Sequence, residues 1–352
     1  DPVARAALSL GAVRSLFVVL ALAGLAVLLE RKRIAVTAAA AALSALLVVD
    51  LWSVERLYWN FSAPAAELYA SDPIIEHIKT QPEPGRTFAL LVAPPPSGRD
   101  PFLGGDAYMV HGIRLVTGYH GNQIGRYDKL YGADRGMANV ANPVFWQVAN
   151  VRWMVYNDSM PIIPGIERVM GPVLNAAGTP VWLFKVPGDN PAAWVTPAIM
   201  KQPDDVVEGA LNDQRFPAAS VALFAPDAPV EGQTLTTAPA PLAIKANVPT
   251  YDPGHIVVEL SEPAPAGSAL MISENYYPGW SATIDGKPAG VYRADLSLMG
   301  VPLPAGAMKV ELTFSSASFE RGKLITLVAI GLALLAVGAG MLVQRRQGLQ
   351  GA

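Results

Sequence analysis

The chain has 352 residues, 51% of them apolar and only 16% charged, with a formal charge of −3, a mean hydropathy of +0.30 and no cysteine. That balance is too apolar for an ordinary soluble protein of this length and lacks the basic stripe that nucleic acid requires, so membrane spans come first and nucleic acid is set aside as a partner. Without cysteine a disulfide framework is excluded.

Two apolar runs near the start, "SLFVVLALAGLAVLL" (Ser15–Leu29) and "IAVTAAAAALSALLVV" (Ile34–Val49), are separated only by Glu30, Arg31, Lys32 and Arg33 and predict a transmembrane hairpin. The first extends back through Ala6–Val13 if Arg14 carries its charge to the interface, and the second runs on to Trp52. Trp52, Tyr58, Trp59 and Phe61 follow where an interfacial aromatic belt is expected. Asp50, at the outer end of the second run, is assigned to anchoring or to a hydrogen bond between domains.

The next stretch is mixed. "SDPIIEHIKTQ" has helical period behind a Ser-Asp-Pro start signal, "RTFALLVA" reads as a buried strand, and "VRWMVYN" and "VWLFKVP" read as strands. "PDDVVEGALND" predicts a short helix whose Asp204 and Asp205 are expected to serve its positive end. After about Ala238 short alternating runs take over, from "LAIKANV" to "MKVELTF", and seven strands at this spacing predict a β-sandwich. Pro278-Gly279 suits a type II turn and Asp285-Gly286 a type I′ hairpin, so "ENYYPGWSATIDGKP" reads as turns around a strand, with Tyr276, Tyr277 and Trp280 a candidate interaction surface. "LITLVAIGLALLAVGAGMLV" (Leu324–Val343), twenty residues without a charge, predicts the last transmembrane helix, with Ala336, Gly338 and Gly340 a face for close helix packing.

The fold class expected is therefore a membrane-anchored α+β protein: three transmembrane helices carrying a mixed α/β domain and a β-sandwich. The boundaries are 1–54 for the hairpin, 55–237 for the mixed domain, 238–319 for the sandwich and 320–352 for the last helix and tail. Lys and Arg are retained on the cytoplasmic side, so Arg31, Lys32 and Arg33 mark a cytoplasmic hairpin tip and Arg345 and Arg346 a cytoplasmic C-terminus. About 270 residues then lie outside the cytoplasm, which predicts a bacterial inner-membrane protein with its bulk in the periplasm. No initiator Met or secretory signal precedes the first run, and the chain is expected to continue a longer product with further helices upstream.

The chemistry-bearing residues are scattered. His77, His111, His120 and His255 form no metal-binding spacing, although His111, His120 and Asp128 have the types to meet in space. There is no G-x-S-x-G element and no phosphate loop, and adjacent Asp204 and Asp205 diverge on a helix. No catalytic, cofactor or metal residue is assigned.

"SENYYPGWSATIDGKPAGVYRADLSLMGVPLPAGAMKVELTF", followed by "SASFERGKLITLVAIG", resembles the C-terminal end of the YfhO-type bacterial membrane proteins. "VTGYHGNQIGRYDKLY", "NVRWMVYN" and "VVDLWSVERLYW" are weaker echoes in the correct order. The resemblance implies a relative of the GT-C glycosyltransferases, which use polyprenyl-phosphate sugars and carry a catalytic acid in an early extracytoplasmic loop, and that loop lies outside this chain. Two readings follow. The first is a non-catalytic accessory subunit that anchors a periplasmic module to other membrane-protein subunits, for example in a respiratory or photosynthetic assembly, with the lipid bilayer as its other partner. The alternative is the C-terminal, acceptor-positioning part of a glycosyltransferase, with a glycan as partner.

Overall fold

The structure is a computed structural model and describes residues 2–59, 61–118 and 121–350. The chain divides into two compact units, Asp1–Ala65 and Ala66–Ala352.

The first unit is a pair of helices, α1 (Pro2–Glu30) and α2 (Val36–Glu55), joined through the exposed Arg31, Lys32 and Arg33. Arg14 Nε donates to Asp50 Oδ1 at 2.8 Å and its terminal nitrogen stands 2.7 Å from the same oxygen. Arg14 therefore pairs across the hairpin rather than reaching for the interface, and Asp50 finds its partner on the neighbouring helix rather than in another domain. A carboxylate and a guanidinium on apolar helices are each costly in hydrocarbon, and pairing lowers that cost. Beyond α2, Trp52 meets Trp59 edge-on at 4.5 Å and Trp59 meets Phe61 at 6.5 Å, all of them exposed.

A short α3 (Ala65–Leu68) leads to α4 (Pro73–Lys79), which starts where the sequence signals it: Asp72 Oδ1 accepts from the N–H groups of Ile74 and Ile75. A mixed five-stranded sheet follows, in the order β2-β1-β3-β5-β4. β1 (Arg86–Leu90), β2 (Arg114–Leu115) and β3 (Val151–Tyr156) are parallel, with α5 (Gly125–Tyr131) and α6 (Pro143–Val148) in the crossover. β4 (Glu167–Leu174) and β5 (Pro180–Lys185) complete it antiparallel.

β6 (Ala193–Thr196), β7 (Ala198–Lys201), α7 (Asp204–Asn212) and β8 (Val221–Phe224) come next, with β7 and β8 parallel on either side of α7. The helix is as expected, with Asp204 and Asp205 in its first turn, and Asp204 also takes Arg126 at 2.8 Å and Arg293 at 2.7 Å. Eight further strands follow: β9 (Ala246–Asp252), β10 (His255–Leu260), β11 (Ser268–Asn275), β12 (Trp280–Ile284), β13 (Lys287–Ala289), β14 (Tyr292–Ala294), β15 (Leu298–Leu303) and β16 (Lys309–Phe314). They form an antiparallel sheet, β13-β12-β16-β10-β9, facing a six-stranded sheet, β6-β11-β15-β14-β8-β7. The sandwich thus has one strand more after residue 238 than the seven read from sequence, and its second sheet is completed by three strands from before that point.

Alternation along the strands explains the layering. In β11, Ala269 and Met271 enter a core shared with the mixed sheet, whereas Leu270 and Ile272 enter the core between the two sandwich sheets. In β3, Met154 and Tyr156 face that shared core, and Trp153 and Val155 face a third cluster with Ile74, Ile75 and Phe102. Sheets buried on both faces read as unbroken apolar runs, which is why these strands are legible. The final helix α8 (Ala317–Gln350) follows β16. Helical stretches Leu8–Glu30, Val36–Glu55 and Ala317–Leu342 are long and apolar enough to cross a membrane, and their apolar windows find no cover within the chain. The protein is a membrane-anchored α+β protein.

Candidate functional site

Two features of the second unit join the mixed sheet to the sandwich. One is a buried polar knot. Arg86, at the start of β1, donates to Ala149 O at 3.1 Å, to Ser273 Oγ at 2.8 Å and to Glu274 Oε2 at 3.3 Å. The same Glu274 oxygen accepts from Arg114 at 3.0 Å and from the Tyr251 hydroxyl at 2.9 Å, and the Arg114 guanidinium lies 3.5 Å over the Tyr251 ring. Burial opposes ionisation of Glu274, but Arg86 and Arg114 outweigh it and hold the carboxyl below its usual range. Two guanidinium groups share one carboxylate, so the knot couples the layers and carries one positive charge in excess.

The other feature is open: a cleft of about 1250 Å³. One wall is the segment 242–249 running into β9, where Leu242, Ile244, Ala246 and Val248 pack onto the sandwich core and the alternate residues stay exposed. The opposite wall is built from residues 82–84, the end of α6, 163–165 and 187–191, with Trp146 and Trp194 below. A smaller recess of about 250 Å³ shares Glu83, Arg152 and Asp189 with it and continues toward Lys185.

The walls are held stiffly. Asn150 and Asn190 both sit in the left-handed region, with φ of 53° and 43°, which Asn tolerates better than most residues. Asn150 Nδ2 donates to Pro84 O and Asn190 O, while Asn190 Nδ2 donates to Val151 O and Pro187 O, so the two amides tie the 82–84 and 187–191 loops to β3. Arg152 lies across Gly85, where an added Cβ would stand 2.5 Å from its Cδ, and pairs with Glu83. Both indole N–H groups are occupied, Trp146 by Val140 O at 2.7 Å and Trp194 by Ala218 O at 3.0 Å, and both rings are buried in the shared core, so they support the cleft from beneath.

None of the residues singled out from sequence lines this cleft. Tyr276 and Trp280 pack partly buried against the sandwich core, and Tyr277 is exposed beside Phe314, 6.3 Å between ring centroids. Residues 276–279 carry the chain from one sandwich sheet to the other, and Trp280 N–H closes the turn on Tyr277 O with Gly279 at φ 122°. Asp285 and Gly286, at φ 48° and 78°, make the expected two-residue hairpin. A Cβ at Gly338 or Gly340 meets nothing within 4 Å, so this face of α8, with Ala336, is unpacked in the chain. Arg345 and Arg346 fall in α8, but their side chains lie outside the described residues, as does His120. His77 packs edge-on to Trp153, His111 stacks on Phe102 and His255 meets Glu311 at 2.9 Å. No group of three metal-binding side chains occurs among the described residues.

The family model described as "Bacterial membrane protein YfhO" matches residues 230–326, so the resemblance read from "ENYYPGWSATIDGKP" and its surroundings is borne out there. No curated protein matches the chain. Among solved structures, the arabinofuranosyltransferase AftD from Mycobacteria is 30% identical over 29% of this chain and 8% of that one, with a TM-score of 0.22. A mutant form of the same enzyme is 13% identical over 78% of this chain and 33% of that one, with a TM-score of 0.26. The chain thus spans a small part of these proteins, and superpositions this poor carry no structural argument. The family match overturns the expectation of an accessory subunit in a respiratory or photosynthetic assembly. That expectation rested on small-residue helix faces, which pack equally well against helices of any membrane protein.

Proposed function

We propose that the chain is the C-terminal, acceptor-positioning part of a GT-C-type glycosyltransferase that uses a polyprenyl-phosphate sugar. The match of residues 230–326 to the YfhO family carries the reading, because it takes in all of β9 to β16 and runs into α8. In this reading the catalytic acid belongs to helices and loops outside the chain, and the chain supplies anchorage and a surface above the reaction.

The remaining pieces take roles to match. Arg31, Lys32 and Arg33, with Arg345 and Arg346, place the hairpin tip and the C-terminal tail in the cytoplasm and the folded body in the periplasm of a bacterial inner membrane. Trp52, Tyr58, Trp59 and Phe61 sit at the outer interface. Ala336, Gly338 and Gly340 receive another membrane helix, and Tyr277, with Tyr276 and Trp280 behind it, meets a neighbouring segment of the same enzyme.

The test is transfer of a radiolabelled sugar from a polyprenyl-phosphate donor to envelope glycan, in membranes from cells with the complete gene and from a deletion strain. Transfer in the first and none in the second is expected. Equal labelling in the two would overturn the reading.

A further inference from the structure

We propose that the cleft between segment 242–249 and the loops at 82–84 and 187–191 binds an uncharged oligosaccharide chain, held across the junction of the mixed sheet and the sandwich. Its role as an acceptor site rests on the functional reading above; the binding itself does not.

Size is the first argument. At about 1250 Å³ the cleft exceeds the roughly 300–1,000 Å³ typical of a small-molecule pocket, and the adjoining recess lengthens it. An elongated ligand of several units fills such a space better than a single metabolite. The walls are also made in advance: prolines 82, 84, 164, 187 and 191 fix the backbone on one side, and the Asn150–Asn190 exchange locks two of the loops together. A preformed wall spares the ordering cost that a polar ligand would otherwise have to offset.

Chemistry is the second. Gln147, Asp189, Gln214, Lys245, Asn247 and Glu259 line the cleft, and none has a side-chain partner among the described residues. Asn247 and Glu259 are directly opposed in the β9–β10 register, so an amide and a carboxylate project side by side. Amides and carboxylates at this spacing accept and donate to neighbouring hydroxyls, while Leu242 and the exposed Pro82 and Pro164 offer apolar surface to the C–H face of a sugar.

Charge decides against other ligands. Glu83 and Arg152 neutralise each other, leaving Asp189 and Glu259 against Lys245, so a phosphate or polyanionic chain finds no cluster of arginines. An added peptide strand is opposed as well. β9 is the edge of its sheet, but Pro249 lies within it and has no N–H to offer.

The experiment uses the complete gene product in lipid nanodiscs, with maltoheptaose and linear mannohexaose as neutral probes, a heparin octasaccharide as the anionic one and an extended decapeptide as the polypeptide one, followed by saturation-transfer NMR. Binding of at least one neutral probe is expected, about tenfold weaker in Ala243→Trp, which fills the cleft from an exposed lining position, and unaffected by the heparin fragment or the peptide. Should Ala243→Trp melt lower than the parent, the Gln147→Ala, Asn247→Ala double variant decides in its place. Failure of both neutral probes, preference for heparin or peptide, or neutral binding indifferent to the deciding variant would each overturn the proposal. Binding without sugar transfer by the parent removes the glycosyltransferase reading and leaves the site; transfer without binding does the reverse.

Discussion

Asp295 is the residue most at odds with its surroundings. It is fully buried at a left-handed position, Oδ1 accepts the Leu223 N–H at 2.9 Å, and Oδ2 has no partner. Burial pushes its pKa from 3.8 up to about 7, against the smaller pull of that one hydrogen bond. The native state therefore holds a proton that the unfolded chain has already released, and stability falls as pH rises from near 4 to 7, then levels off. About 2 kcal/mol is expected to go between pH 5 and 7. In Asp295→Asn that loss disappears; denaturant unfolding at pH 5, 6, 7 and 8 reads the difference, and parallel profiles for the two proteins would disprove it.

At the scale of elements, local signals fixed some segments well. Asp72-Pro73 starts α4, and Asp285-Gly286 turns β12 into β13, because only a few residue types serve at each place. Gly279 and Gly286 test how far that reasoning goes. Both have positive φ, but a Cβ at Gly279 would meet Ser315 O at 2.6 Å, whereas at Gly286 it meets nothing. Gly286→Ala should cost about 1 kcal/mol from the backbone alone. Gly279→Ala should cost at least about 2 kcal/mol, since the turn must also move off β16. Similar melting temperatures for the pair would contradict the geometry. Elements that escaped the sequence reading were short or exposed: β6, β7 and β8 have four residues each, too few to display a period, and β4 is largely exposed with a Gly-Pro step inside it.

For the whole molecule, membrane spans and the sandwich were legible because each rests on a run of like residues or a regular alternation. The cleft was not, since its walls come from segments more than a hundred residues apart and its polar side chains look like ordinary surface until folding brings them face to face. The same long-range construction makes the layers interdependent. Met271 lies in the core shared by the mixed sheet and the sandwich, so Met271→Ala should lower stability by about 2–5 kcal/mol and do so for all layers together. Hydrogen exchange should report one common opening for β3 and β11; separate openings would mean that the layers fold apart.

The six-stranded sheet has a practical corollary for anyone cloning this protein. A piece cut to the family boundary at residue 230 would keep β11, β14 and β15 but leave β6, β7 and β8 behind, stripping three strands from one sheet and uncovering Ala269, Met271 and Leu298. Such an excised fragment would be sticky and badly behaved in solution, with raw strand edges inviting self-association. An expression boundary drawn upstream of Ser71 keeps the mixed sheet and the sandwich in one piece.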